Sequence, residues 1–228
     1  MIDRMDLTCF GWTPDREQEF TSLRGRGWIP ARVVAEDKHF FTVLSEAGEL
    51  TAQVTGKLLH QSPSRAELPK VGDWVAVARL PREEKAVIHQ VLRRATRLSR
   101  KVAGRETEEQ VLATNVDTVL VVQALDSSLN LRRLQRHLAM VRDGGATPVV
   151  VLNKADLCGD PIAAAATVEG SVDGAAVRVV SAQTGRGMKT LAGVCLAGAT
   201  LAMLGPSGVG KSSLINRLLD EDLLDTAE

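Results

Sequence analysis

Two short stretches of this sequence have residue types and spacings that could do chemistry. The first, Gly205-Pro206-Ser207-Gly208-Val209-Gly210-Lys211-Ser212, fits Gly-x-x-x-x-Gly-Lys-Ser, with an apolar run before it and a helix-compatible run after it. Glycines at 205, 208 and 210 let consecutive backbone N–H groups turn toward phosphate oxygens, with the positive end of the following helix behind them. Lys211 then reaches the β- and γ-phosphates, Ser212 places its hydroxyl on Mg²⁺, and Ser213 approaches the α-phosphate. Lys211 and Ser212 are the expected catalytic groups, and Ser212 is the expected metal ligand. The plainer alternative is a glycine-rich turn with an incidental lysine, and the order strand, loop, helix argues against it.

The second stretch is Asn153-Lys154-Ala155-Asp156, directly after the apolar run Val149–Leu152. That is the carboxyl end of a parallel strand, where α/β sheets bind ligands. The Asp156 carboxylate can accept from guanine N1–H and the exocyclic amine, a pair of donors adenine lacks. Lys154 lays its methylene stem along the purine, and Asn153 pins neighbouring loops. Asn-Lys-x-Asp alone is a weak signal, but beside a phosphate loop it points to GTP or GDP with Mg²⁺. Ser181-Ala182 follows the next apolar run, and a backbone N–H there is expected to bond guanine O6.

The elements that must position these groups form two textures. From Trp28 to Leu92, five short β-branched and aromatic runs lie between turn residues: Ile29–Ala35, His39–Leu44, Leu50–Thr55, Trp74–Ala78 and Ala86–Leu92. They predict a closed barrel, of OB or SH3-like type, OB being the commoner at this size. After Gln110, apolar strands alternate with helical segments, as in a parallel sheet with crossover helices. Leu131, Leu134, Leu138 and Val141 make one helix stripe, started by Asn130 and ended by Gly144-Gly145. The expected architecture is an N-terminal all-β OB-fold barrel over 1–95, a basic connector over 96–110, and a partial α/β P-loop GTPase domain over 111–228 with circularly permuted motif order. Tetrad, Ser-Ala and phosphate loop occur in that sequence, whereas the ordinary order places the phosphate loop first. Neighbouring strands rather than chain order place the ligand groups, so a sheet survives permutation.

Composition bounds the rest. Lys plus Arg and Asp plus Glu balance at 28 each over 228 residues, so only local charge is informative. From Arg82 to Arg105 eight basic residues face two acidic ones, which makes the stretch a candidate RNA-backbone contact or simply a solvated face. Trp28 and Trp74 read as barrel core rather than base-stacking platforms. His39, His60, His89 and His137 lack partners at catalytic or metal spacing and read as structural. Cys9, Cys158 and Cys195 are expected to be free thiols in a reducing compartment. The N-terminus lacks a signal-peptide run, and Thr190–Leu204 is too short and glycine-broken to span a bilayer, so a cytoplasmic chain with no membrane partner is expected.

The barrel-like first half, Val71-Gly-Asp-Trp-Val75, Ala113-Thr-Asn-Val-Asp117, Asn-Lys-x-Asp, Ser-Ala and Gly-Pro-Ser-Gly-Val-Gly-Lys-Ser-Ser-Leu together resemble the ribosome small-subunit-dependent GTPase A family of circularly permuted GTPases, over most of the chain. The resemblance implies a cytoplasmic GTPase that binds the small (30S) ribosomal subunit, contacts its 16S rRNA through the barrel, and acts late in subunit maturation; a monomer is expected. Family elements with no match before Glu228 are the switch threonine, an Asp-x-x-Gly after the phosphate loop, and the Cys/His ligands of a C-terminal zinc domain. The expectation from this is weak nucleotide binding with poor hydrolysis. Two other readings stay open at this stage: a non-catalytic RNA-binding fragment with a vestigial nucleotide domain, and an ATP-using phosphate-loop enzyme.

Overall fold

The computed structural model describes residues 5–38, 40–102, 108–126, 129–221 and 223–224; the expected structural role of His39 and the charge of Arg105 fall outside them. The chain divides into two compact units, residues 1–116 with 197–200, and 117–196 with 201–228.

In the first unit, a 3-10 helix over Leu7–Phe10 leads into helix α1, Pro14–Arg24. Thr13 caps α1 by accepting from the Arg16 N–H, and Pro14 fills a position that needs no amide donor. Five strands follow: β1 (Ile29–Glu36), β2 (Phe41–Ser45), β3 (Gly48–Val54), β4 (Trp74–Arg79) and β5 (Lys85–Val91), with helix α2 (Gly56–Gln61) between β3 and β4. β1 pairs with both β2 and β4, and β3 pairs in parallel with β5, which closes a barrel of order β1-β2-β3-β5-β4. This is an OB-like barrel. Alternate residues fill it, with Val33, Val43, Leu50, Val77 and Ile88 all at most 1% exposed.

Trp74 and Trp28 correct the sequence reading. Trp74 is buried, but it lies in a separate cluster with Trp12, Phe20 and Leu23, while its strand neighbours Val75 and Val77 face the barrel interior. Period-2 alternation puts Trp74 on the outer face of β4, where α1 residues cover it. Trp28 is only half-buried and stacks on His89 with ring centroids 4.5 Å apart.

The stretch read as a connector contains an antiparallel hairpin, β6 (Arg97–Val102) with β7 (Glu108–Thr114). The charge of the basic run from Arg82 to Arg105 is also less available than the sequence suggests. Arg94 forms a bidentate pair with the fully buried Asp73 at 2.9 and 2.7 Å and donates to the Ala66 and Leu68 carbonyls. Arg97 pairs with Glu109 and Glu67. Arg93, Arg100 and Lys101 remain exposed. The motifs around Asp73 and Asn115 interlock: Thr114 Oγ1 donates to Asp73 at 2.7 Å, and Asn115 Nδ2 donates to the Gly72 carbonyl at 2.9 Å. Gly72 has φ 93°, and a Cβ there would stand 2.0 Å from the Thr114 carbonyl oxygen, so only glycine allows the approach.

The second unit contains β8 (Thr118–Ala124), α3 (Leu131–Asp143), β9 (Thr147–Asn153), α4 (Pro161–Glu169), β10 (Ala176–Val179), α5 (Met188–Ala192), β11 (Leu201–Leu204) and α6 (Lys211–Leu219). All its strands are parallel, in the order β10-β9-β8-β11. The Asn130 side chain accepts from the Arg133 N–H to start α3, which buries Leu134, Leu138 and Val141. Residues of α5 and α6 join Leu120 and Val122 of β8 in one core cluster. From β8 the chain runs outward to β9 and β10 and then returns to place β11 on the other side. The topological switch point therefore lies between β8 and β11, with the phosphate loop directly after it.

Candidate guanine-nucleotide site

Each predicted group stands at the carboxyl end of its strand. After β11 the loop turns through Gly205, Gly208 (φ 80°) and Gly210 (φ 88°) into α6. A Cβ on Gly205 would lie 2.5 Å from the Val122 carbonyl oxygen, and one on Gly210 would lie 2.4 Å from Asn153 Nδ2. The glycines thus permit both the turn and the close approach of neighbouring strands. Val209 is anchored in the core, 3% exposed, beside Leu214. No side chain caps α6, and its first turn carries no acidic residue, which leaves its N-terminal amides to an external anion. Lys211 Nζ donates to the Gly205 and Pro206 carbonyls at 3.0 and 2.8 Å. An ammonium has three donors, so one remains for a phosphate oxygen. Ser212 and Ser213 are half-buried in the first turn of α6.

Asn153 joins the three motifs. It is 2% exposed, donates from Nδ2 to the Val209 carbonyl at 2.9 Å, and accepts at Oδ1 from the Ala182 N–H at 3.1 Å. One amide side chain therefore ties β9 to the phosphate loop on one side and to the Ser-Ala loop on the other. Lys154 adopts the left-handed conformation (φ 61°) and reaches Asp126 Oδ2 at 3.5 Å. Asp156 lies in the 3-10 turn Ala155–Leu157 with its carboxylate exposed.

The Ser-Ala element differs from expectation. The Ala182 N–H is taken by Asn153, and the Ser181 N–H bonds the Arg186 carbonyl at 2.9 Å. The Ser181 hydroxyl accepts from the Thr184 N–H at 3.1 Å and closes the turn, so neither amide is open to guanine O6 in this arrangement. Sequence reasoning also missed Asp126. Its signal was a carboxylate just past the carboxyl end of the first sheet strand, opposite the lysine of the tetrad.

Among the described residues no group of three or more His, Cys, Asp or Glu gathers at metal-binding distance, and no helix is long and apolar enough to cross a membrane. Cys9 and Cys195 are exposed free thiols, and Cys158 is a half-buried one.

A phosphate loop, guanine tetrad and Ser-Ala turn, in permuted chain order on a parallel sheet and preceded in the chain by an OB-like barrel, define the fold class of the circularly permuted P-loop GTPases. The RsgA GTPase family model matches residues 91–228, and the chain belongs to that family. It is 47% identical to the small ribosomal subunit biogenesis GTPase RsgA of Opitutus terrae over 97% of this chain and 63% of that protein. Identity to the protein of the same name from Syntrophotalea carbinolica is 40%, over 98% of this chain and 63% of that one. The chain thus spans 63% of the length of these relatives. YjeQ from Thermotoga maritima matches in structure with a TM-score of 0.67 and 27% identity, over 84% of this chain and 65% of its own. The circularly permuted GTPase YloQ shares the fold, with a TM-score of 0.59 and 18% identity over 83% of this chain and 63% of its own.

Proposed function

We propose that the chain binds GTP and GDP with Mg²⁺ and hydrolyses GTP to GDP and phosphate, as a monomeric cytoplasmic factor in late maturation of the small ribosomal subunit. The observation that carries the nucleotide reading is the bridge from Asn153 to both Val209 and Ala182, which holds the phosphate-binding and base-reading loops in one frame. The α6 amides and the remaining Lys211 donor hold the phosphates. Asp156 reads the two guanine donors, and Lys154, steadied by Asp126, lies along the purine. The Ser181–Gly187 turn borders the base. Ser212 is the residue that would hold Mg²⁺, which when bound neutralises charge between the β- and γ-phosphates. The ribosomal part of the reading is supported by the names of the relatives, and the barrel unit, with exposed Arg93, Arg100 and Lys101, supplies a surface for 16S rRNA.

The test is titration with a fluorescent guanine nucleotide and Mg²⁺, competed by GDP and by ATP. Competition by GDP alone, lost in Lys211→Ala, with Asp156→Asn shifting preference toward xanthine nucleotides, is the expected result. Equal competition by ATP would overturn the base assignment. Co-sedimentation with small subunits in the presence of a non-hydrolysable GTP analogue tests the partner, and its absence would remove the ribosomal half of the reading.

A further inference from the structure

Helix α3 carries an arrangement that the nucleotide site does not use. Arg132 and Arg136, one helical turn apart, line an open concavity of about 560 Å³ together with Asn130, Gln135 and Ala139. Both arginines are exposed, and among the described residues neither guanidinium has a hydrogen bond or an ion pair. By contrast, Arg142 at the other end of the helix is held by Val172, Asp173 and the Asp173 carboxylate. The first turn of α3 contains no acidic residue. Cations near a helix N-terminus are disfavoured by the macrodipole, so Arg132 sits where it weakens the helix and Arg136 adds like charge one turn on.

We propose that this groove docks the phosphodiester backbone of a structured RNA. Two guanidinium forks at i, i+4 present planar donors to neighbouring phosphates; the Asn130 Nδ2 group, whose Oδ1 caps the helix, and the second N–H of Gln135, whose first is held by the Ser171 carbonyl at 3.2 Å, suit phosphate or sugar oxygens. An acidic protein partner fits less well. Protein interfaces are organised around buried aromatic or aliphatic anchors, and Ala139 is the only apolar residue in this lining. The proposal rests on the reading of the chain as an RNA-associated GTPase and adds a contact on the nucleotide-binding unit to the one proposed for the barrel unit.

The experiment measures binding of the whole chain to in vitro transcribed 16S rRNA between 50 and 200 mM KCl, roughly the range over which phosphate contacts are lost. Variants are Arg132→Glu/Arg136→Glu, the milder Arg132→Gln/Arg136→Gln, Arg132→Lys/Arg136→Lys, and Arg100→Glu/Lys101→Glu on the hairpin. Loss of two phosphate contacts should lower the slope of log K against log salt by about 1.4–1.8. The lysine pair should keep the slope; in the glutamine pair guanine-nucleotide affinity should not change and the thermal midpoint should hold or rise, since two unfavourable charges leave the helix start. An unchanged slope in folded α3 variants overturns this proposal, and if the hairpin variant still loses binding, the RNA reading stands without it. No RNA binding by the unaltered chain overturns both. Displacement by polyglutamate as effective as by rRNA at equal charge overturns the choice of RNA over protein.

Discussion

Asn153 Nδ2 lies 2.9 Å from the Val209 carbonyl oxygen, at the point where the missing side chain of Gly210 leaves room for it. Val209 of the phosphate loop and Asn153 of the Asn-Lys-x-Asp tetrad are 56 residues apart in the chain, and this contact ties the two motifs together. Asn153→Ala removes both its bonds and leaves the Ala182 N–H without its partner. A buried unsatisfied group costs about 1–3 kcal/mol. Guanine-nucleotide affinity should therefore fall by roughly 5- to 150-fold with no change in guanine-over-adenine preference, since Asp156 is untouched; isothermal titration with GDP and ADP reads both.

Gly210→Ala should be worse than its size suggests. Its Cβ would meet Asn153 Nδ2 at 2.4 Å, and the φ of 88° is strained for any L side chain. Gly208 also has positive φ, but nothing lies within 4 Å of its Cβ position. Nucleotide affinity should fall more for Gly210→Ala than for Gly208→Ala. Equal losses would mean that backbone strain alone, and not the contact with Asn153, sets the requirement.

In the barrel unit, the Asp73 carboxylate is fully buried and accepts from Arg94, Thr114 and the Lys70 N–H. Asp73→Ala leaves the Arg94 guanidinium, 10% exposed, without its counter-charge. Breaking a buried pair from one side costs about 3–5 kcal/mol. Chemical unfolding followed at the tryptophans should show that loss, and Asp73→Ala/Arg94→Leu should recover part of it.

These contacts also mark what the sequence could and could not convey. The barrel strands were legible because β-branched residues alternate between turn signals, and the three nucleotide motifs because their spacing is tied to strand ends. Helix α1 was not, since only Phe20 and Leu23 of its residues are buried and no apolar stripe forms. The β6–β7 hairpin was hidden because its pairing is carried partly by charge, Arg97 to Glu109, which reads as solvated polarity. Arg94 looked free because its partner lies 21 residues away. The engaged amides of Ser181 and Ala182 were illegible because backbone bonding inside a short turn leaves no trace in residue type.

Two histidines set an expected pH response. His137 is half-buried on α3 and its pKa is lowered by burial first and then by Arg133 and Arg136; that of His89, stacked on Trp28, is lowered by burial. With folded values below the ordinary value of about 6.5, the unfolded chain binds more protons in between, so stability is whole above that value and falls as pH drops below it. Depressed carboxyls at Glu17, through Arg24, and Glu109, through Ser99 and then Arg97, add a second loss as pH falls through the carboxylate range. Urea midpoints at pH 7.5 and 5.5, about one unit either side of the ordinary histidine value, should differ. His137→Gln and His89→Gln should each flatten the difference, and an unchanged slope in both variants would contradict the assignment.

Gln123 is 1% exposed on β8, and neither its Oε1 nor its Nε2 has a hydrogen-bond partner among the described residues. Its backbone lies opposite Leu152, one residue before Asn153, in the strand that the Gly205 turn packs against. Removing a buried unsatisfied amide while keeping its shape relieves a desolvation penalty of about 1–3 kcal/mol. Gln123→Met should therefore raise the thermal midpoint by several degrees, at roughly 2–4 °C per kcal/mol for a chain of this size, and leave GDP affinity unchanged. A lower midpoint would show that a buried water satisfies the amide, and a higher midpoint with weaker GDP binding would show that the polar strain at this position supports the adjacent phosphate loop.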